Sequence, residues 1–462
     1  MNLKNLLIAC AVLMAGFTSC SNDSDTDNSG VVANGKPTVA KITLTQKGSS
    51  TRAASTTKEP TDAEKVINKA TLYIFNAAKT FVKQVDFDVV ASPNSASKTV
   101  ELTTGTHYFY ALVNYPGTAP SFTGTPTLAA VIADVNNQMS LTALRQITGA
   151  TNGFLMSSIG EPVSQILVEA NQVQAENELY NTITLPVGRA MAKVNASFEI
   201  ANAATDQPAT GTLGSVQYQG ANNPSTMYAL PNYVVNQLQT PYFTTYSTNT
   251  VDQTQYFPTL PNDFSMSPST DWVDADGVEA NAIYMVENSN QTPKEGNSSF
   301  VLLKGVFSPN AAYCYSGTDG TKLSAAIVPG TVDAEVSFWC ASTADGKVYK
   351  KRFFDSDPDG TILTQLTNEV KDGNTYTQAI KYYNGEAYYP FFLQDDTKSE
   401  RIAKYTTARN NYYGVTITSV SDLGANTPSG VITPENPLGA EAWIKGKIEI
   451  LDWNTVTQSG GI

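Results

Sequence analysis

Apolar residues recur at every second position along most of this chain, in short runs broken by Asn, Gly, Pro and Asp. That spacing predicts strands with one buried face. The first run is Ala40-Lys-Ile42-Thr-Leu44-Thr, in which Ala40, Ile42 and Leu44 share a side. Residues 69–75, 98–102 and 106–114 read as further strands. From 127 to 147 the spacing turns helical through Leu128, Val131, Ile132, Val135, Leu141 and Leu144, and Gly149 closes the segment. A fresh strand starts at Pro186 and runs to Ile200, with a domain junction near residue 188. Beyond it, strands are expected around 212–219, 281–287, 299–306, 333–341, 347–354, 376–383 and 411–420. The sum is an all-β chain with minor helix.

The two chain ends break this pattern. Residues 6–17 form an apolar run behind a short positive stretch, shorter than the roughly 20 residues a spanning helix needs. It ends at Thr18-Ser19-Cys20 and turns polar at once, which reads as a signal peptide (1–20) whose Cys20 becomes the lipidated first residue. An ordinary secretory signal is the alternative. Residues 21–38 form a polar tether, and the strand at 40–45 runs into Gly48-Ser-Ser-Thr-Arg52-Ala53-Ala-Ser-Thr-Thr. Such a small, polar loop suits proteolysis, and Arg52 offers one trypsin-like cut before Ala53. At the far end, Ile444, Ile448 and Ile450 alternate on one face, whereas Leu451 and Trp453 take the other parity. The switch predicts a bulge or a hand-over, with about 442–450 in the domain and 451–462 exchangeable.

Composition and charge narrow the class. At 462 residues the chain exceeds one ordinary sandwich, and its net charge of −13 argues against nucleic-acid binding. Cys10 leaves with the signal peptide, so only Cys314 and Cys340 remain in the folded part. A disulfide between neighbouring strands and two buried free thiols are both open. With His107 as the only histidine, no zinc site or histidine pair can form. His107 reads as a packed or surface residue. Asp355-Ser-Asp357-Pro-Asp359-Gly360 copies half of a calcium loop, but Leu366 stands where its Glu belongs and no flanking helices are expected, so it reads as a solvated turn. No metal, cofactor or catalytic residue is expected. Tyr382-Tyr-Asn-Gly-Glu-Ala-Tyr-Tyr-Pro390 reads as hairpin strands, with an aromatic platform for a glycan or host protein as the alternative.

Five stretches together resemble the type V pilins, the FimA-type fimbrillins of Bacteroides-like bacteria. They are the lipoprotein leader followed by Arg52; Ala70-Thr-Leu-Tyr-Ile-Phe75; Gly188-Arg-Ala-Met-Ala-Lys-Val194; Tyr284-Met-Val-Glu-Asn288 leading to Ser299-Phe-Val-Leu-Leu-Lys304; and Arg409-Asn-Asn-Tyr-Tyr-Gly-Val-Thr-Ile417. The resemblance implies two transthyretin-like β-sandwich domains in tandem, at 53–188 and 189–442, behind a propeptide (21–52). It implies a palmitate-bearing precursor, membrane-bound only through that lipid, and an Arg-specific protease cutting after Arg52. The strand carrying Ala40, Ile42 and Leu44 would leave, and the segment 443–462 of another subunit, with Ile448, Ile450, Leu451, Trp453 and Val456, would replace it. The product would be a homopolymer, or one with related pilins, in a fimbrium at the cell outer membrane that supports adhesion. A tip adhesin of the same pilus and a monomeric surface lipoprotein binding glycan or host protein are the competing readings. Loss of residues 1–52 leaves 24 basic and 39 acidic side chains, a net charge of −15. Like-charged subunits must then join by strand insertion rather than surface attraction.

Overall fold

The computed structural model describes residues 35–46, 57–87, 92–93, 95–115, 117–131, 153–158, 163–189, 191–221, 272–286, 292–330, 335–357, 360–366, 372–433, 435–438 and 444–453. Eight strands carry the functional geometry: β1 (Pro37–Gln46), β2 (Thr57–Lys58), β3 (Ser95–Thr103), β4 (Thr182–Arg189), β5 (Met191–Phe198), β6 (Ile283–Val286), β7 (Asn411–Val420) and β8 (Ile444–Trp453).

The alternation around Ala40 does produce a strand, and it lies inside the first sheet. That sheet runs Phe81–Phe87, Ala70–Asn76, Gly105–Val113, Met156–Ser158, β4, β1, β3, with Val163–Leu167 paired to Gly105–Val113. β1 therefore lies between two strands. It runs parallel to β4 from Lys41 opposite Thr182 to Gln46 opposite Val187. Its other edge is antiparallel to β3 from Pro37 opposite Thr103 to Thr45 opposite Ser95. Ala40, Ile42 and Leu44 are fully buried in a core with Leu72, Ile74, Phe109, Val113, Leu185 and Val187. Each large apolar side chain buried this way contributes about 1.5–3 kcal/mol.

After Arg189 the chain passes into a second sheet, ordered β6-β5-β7-β8-β2. One face of this sheet packs on a third, made of Val273–Asp274, Gly211–Ala221, Phe300–Pro309 and Glu386–Phe392. Their shared core includes Val194, Val415, Ile417, Ile444 and Ile450 from the second sheet, with Leu303, Phe307 and Tyr389 from the third. A fourth sheet runs Cys314–Tyr315, Phe353–Phe354, Phe338–Thr343, Tyr376–Tyr382. The all-β expectation holds. Residues 128–131 are helical with Leu128 and Val131 buried, and 132–147 of the predicted helix lie outside the described residues.

Several local expectations need correction. The strand predicted at 347–354 shrinks to Phe353–Phe354, because Lys350, Lys351 and Arg352 interrupt the alternation and Val348 turns back to bridge Ser342. The Tyr-rich stretch is not a hairpin: Tyr376–Tyr382 and Glu386–Phe392 sit in different sheets, joined by a tight turn at Tyr383–Gly385. Tyr382, Tyr388 and Tyr389 are buried, and only Tyr383 is open to solvent. Cys314 and Cys340 form no disulfide; both are buried free thiols. The strand Phe353–Phe354 lies between theirs, and two strand spacings of about 4.8 Å put the backbones beyond disulfide reach.

Two measurements check this. Leu44→Ala is expected to lower the unfolding free energy of the full chain by about 2–5 kcal/mol in urea. In protein beginning at Ala53, two maleimide equivalents should react after denaturation without reductant; none reacting would mean that the thiols are bridged.

Candidate functional site

The slot that holds β1 has two chemically different ends. At its start, Thr38 and Asn181 form a polar clamp. Thr38 Oγ1 donates to the Val168 carbonyl at 2.6 Å, and the Ala170 amide donates to Thr38 Oγ1 at 3.0 Å. Asn181 Nδ2 lies within donating distance of Thr38 Oγ1 (3.0 Å), the Val39 carbonyl (3.0 Å) and the Val168 carbonyl (2.8 Å). Asn181 takes φ of 54°, a left-handed conformation that Asn tolerates better than most residues. The clamp thus fixes where β1 begins.

At its other end, β1 runs into a buried polar cluster shared with the second sheet. Gln46 donates to the Lys65 carbonyl at 2.6 Å and accepts from Arg189 Nη2 at 2.8 Å. Arg189 Nε donates to the Glu64 carbonyl at 3.1 Å. Lys193 donates to Glu64 Oε1 at 2.7 Å, and both side chains are 1 % exposed. The Tyr284 hydroxyl donates to the same carboxylate, and Glu279 pairs with Lys193 from the solvent side. Burial alone pushes the Glu64 carboxyl up. Hydrogen bonds from Lys193 and Tyr284, with the Lys193 charge and the Thr61 amide, outweigh it and hold the group below its ordinary value. Burial pulls the Arg189 guanidinium down to about 10, which leaves it charged at neutral pH.

The C-terminal strand lies across this junction. β8 pairs antiparallel with β7, and the register is continuous from Asp452 opposite Asn411 to Gly446 opposite Ile417. The irregularity lies between Ile417 and Ser419, so the parity switch at Leu451 is not a bulge. Both faces of the strand are covered there instead. Ile444, Ile448 and Ile450 face the second core, while Leu451 packs with Tyr412 and Tyr284 against the first. Phe154 and Tyr284 meet edge to face across the same seam at 4.8 Å. The outer edge of β8 is covered at Asp452 and Trp453 by β2.

The predicted residues thus fall into two groups. Ala40, Ile42 and Leu44 line one slot, and Ile448, Ile450, Leu451 and Trp453 belong to a strand of the second sheet. Cys20, Arg52, Ala53 and Val456 lie outside the described residues. His107 is buried, with Nδ1 3.1 Å from the Gly105 carbonyl, and burial lowers its pKa. Asp355 accepts from the Gly317 amide at 2.9 Å, and Asp357 from the Ile362 amide at 3.2 Å. A helix at Thr361–Leu366 follows that turn directly, contrary to the expectation of no flanking helix. Among the described residues, no group of three or more His, Cys, Asp or Glu could hold a metal ion. The cluster around Glu64 is absent from the sequence reading. Its signals were the Thr61-Asp-Ala-Glu64 capping pattern and two cations, Arg189 and Lys193, set in a small apolar run.

Taken together, fold and site define an all-β protein in which the first described strand completes the first sheet. Residues 39–219 match the major fimbrial subunit protein (FimA) family, and residues 380–459 match the C-terminal part of the major fimbrial subunit protein type IV, fimbrillin. The chain belongs to the FimA-type fimbrillin family, a family of structural subunits that assemble with other pilin subunits in a cell-surface fimbrium. No curated protein matches the chain. Among solved structures it is similar to a candidate cell adhesion protein from Parabacteroides distasonis, at 12 % identity over 91 % of this chain and 98 % of that one, with a TM-score of 0.47. A fimbrilin from Porphyromonas gingivalis matches at 13 % identity over 91 % and 99 % of the two chains, with a TM-score of 0.45. A C-terminally truncated tip fimbrial protein from Porphyromonas gingivalis matches at 12 % over 90 % and 100 %, with a TM-score of 0.34.

Lys193→Met strands a buried carboxylate and is expected to cost about 3–5 kcal/mol in urea unfolding. The double variant Glu64→Gln/Lys193→Met should cost less than the sum of its two singles. Because folding depresses the Glu64 pKa, its stabilisation is complete above the ordinary carboxyl value of 4.5 and is lost as pH falls through the lower folded value. The unfolding midpoint should therefore fall more steeply below about pH 4.5 in the wild type than in Glu64→Gln. Parallel slopes would remove Glu64 from the account.

Proposed function

We propose that this chain is a pilin exported as a lipoprotein through Cys20, matured by an Arg-specific protease after Arg52, and polymerised head to tail by donor-strand exchange. It has no catalytic role in this reading. The single observation that carries it is the position of β1, a strand paired on both edges with Ala40, Ile42 and Leu44 fully buried. Its link to the rest of the fold runs through the loop containing Arg52.

A cut after Arg52 severs β1 from everything that follows. Its departure with the lipid would leave unpaired backbone on β3 and β4 above an apolar trough. A segment from another subunit then fills the slot by β-augmentation: backbone hydrogen bonds give affinity, and alternate side chains give register. The contact is heterologous and does not close on itself, so it extends into a filament.

We assign the donor to residues 443–462, with Ile448, Ile450, Leu451, Trp453 and Val456 as its contact residues. Two features of β8 bear on this. Ile444 and Ile450 are buried in the chain's own second core, so donation requires the strand to leave that sheet or to extend beyond it. Its far end is covered by β2, which starts at Thr57, just past the cleavage loop. The same cut therefore frees the start of the chain that pairs with the donor at Asp452 and Trp453. In this reading residues 53–188 and 189–442 act as the accepting and the donating domain. A tip position, where the chain would accept a strand without passing one on, is the second reading.

The mature N-terminus of surface filaments is expected at Ala53, and Arg52→Ala should retain residues 1–52 and abolish polymerisation. Deleting residues 454–462 should shorten filaments seen by electron microscopy. Filaments of Arg52→Ala with an uncut N-terminus would exclude the maturation step.

A further inference from the structure

A donor strand seated in the β1 slot must bring the body of its subunit against some part of the surface beside that slot. We infer that Ile166, Val168, Val173, Leu179 and Tyr180 form the docking surface for the second copy whose strand enters the β1 slot. This inference rests on donor-strand exchange.

Nine large apolar side chains stand exposed among the described residues, and these five fall between positions 166 and 180. Ile166 is 67 % exposed, and Val173 and Leu179 are each 64 % exposed. Single exposed apolar residues are ordinary, whereas a cluster marks a contact surface. The cluster surrounds one end of the slot. The Val39 amide donates to the Ala170 carbonyl at 3.1 Å, and the Lys41 amide to the Asn181 carbonyl at 3.0 Å. Lys41 Nζ reaches Glu178 at 2.7 Å, and the Thr38–Asn181 clamp holds the Val168 carbonyl.

Among the described residues, this is the end of the slot that the second sheet leaves uncovered. At the opposite end Gln46 is buried against Arg189 and Lys65, with Glu64, Lys193 and Tyr284 packed behind them, so the chain's own second sheet occupies the approach. At the near end Lys36 and Pro37 are exposed. A donor that runs as β1 runs has the rest of its subunit on the Pro37 side, directly over the patch. The exposed apolar side chains are interspersed with Glu169, Glu176 and Glu178, so the attraction the patch offers a second copy is hydrophobic and not electrostatic.

The test uses full-length chain cut with an Arg-specific protease. Val173→Lys/Leu179→Lys is compared with wild type and with Val328→Lys, an exposed control. Polymerisation is followed by light scattering, and binding of a labelled 443–462 peptide to the cut chain by fluorescence anisotropy. The double variant is expected to polymerise about tenfold more slowly or worse, to bind the peptide within about twofold of wild type, and to leave Val328→Lys unaffected. Equal polymerisation in the double variant overturns the inference, also where host-cell binding falls instead, which would assign the patch to a host ligand. A matching loss of peptide binding, or equal slowing by Val328→Lys, overturns it as well. If cut wild type neither polymerises nor binds the peptide, strand exchange itself fails and the inference falls with it.

Discussion

A strand held inside a sheet must satisfy hydrogen bonds on both of its edges, and β1 meets that condition with the chain's leading segment. β3 hangs on the first sheet through β1, and the apolar trough beneath is closed by Ala40, Ile42 and Leu44. The first core is thus complete only while this segment is in place. An ordinary edge strand could be lost at modest cost, whereas loss of an internal one exposes two edges and a core face together. That geometry ties the first core to this one segment.

The polar cluster around Glu64 shows how the two cores are joined without a continuous apolar interface. Glu64, Lys193 and Arg189 would each be costly to bury alone. They are tolerable here because each charge has a partner and the Tyr284 hydroxyl adds to the carboxylate. Gln46 brings the last residue of β1 into the same cluster. Removal of β1 would therefore withdraw an acceptor from Arg189 as well as apolar contacts from the core.

β8 has a divided allegiance of the same kind. Its two faces touch different cores, Ile450 in one and Leu451 beside the other, while its outer edge is only partly covered by β2. A strand so placed is tied to the state of both halves of the molecule. The exposed cluster at 166–180 surrounds the Thr38–Asn181 end of the slot, and the two ends thus differ in kind: one is a polar clamp ringed by exposed apolar side chains, the other a buried polar cluster against the second sheet.

Much of this was legible in the residues. The period-two alternation of Ala40, Ile42 and Leu44 foretold a one-faced strand, because side-chain direction in a strand depends only on position parity. The parity change at Leu451 read as a bulge or a hand-over, whereas the strand there runs in continuous register with both of its faces covered. Three things were not legible. Sequence could not say that β1 lies between β3 and β4, since pairing joins residues fifty or more positions apart. It could not separate Cys314 from Cys340, because the intervening Phe353–Phe354 strand comes later in the chain than both. Nor could it assemble Glu64 with Lys193, Arg189 and Gln46. Local periodicity determines which face of a strand is buried; which strand lies beside which, and which charges meet in the dark between two sheets, is decided only when the whole chain packs.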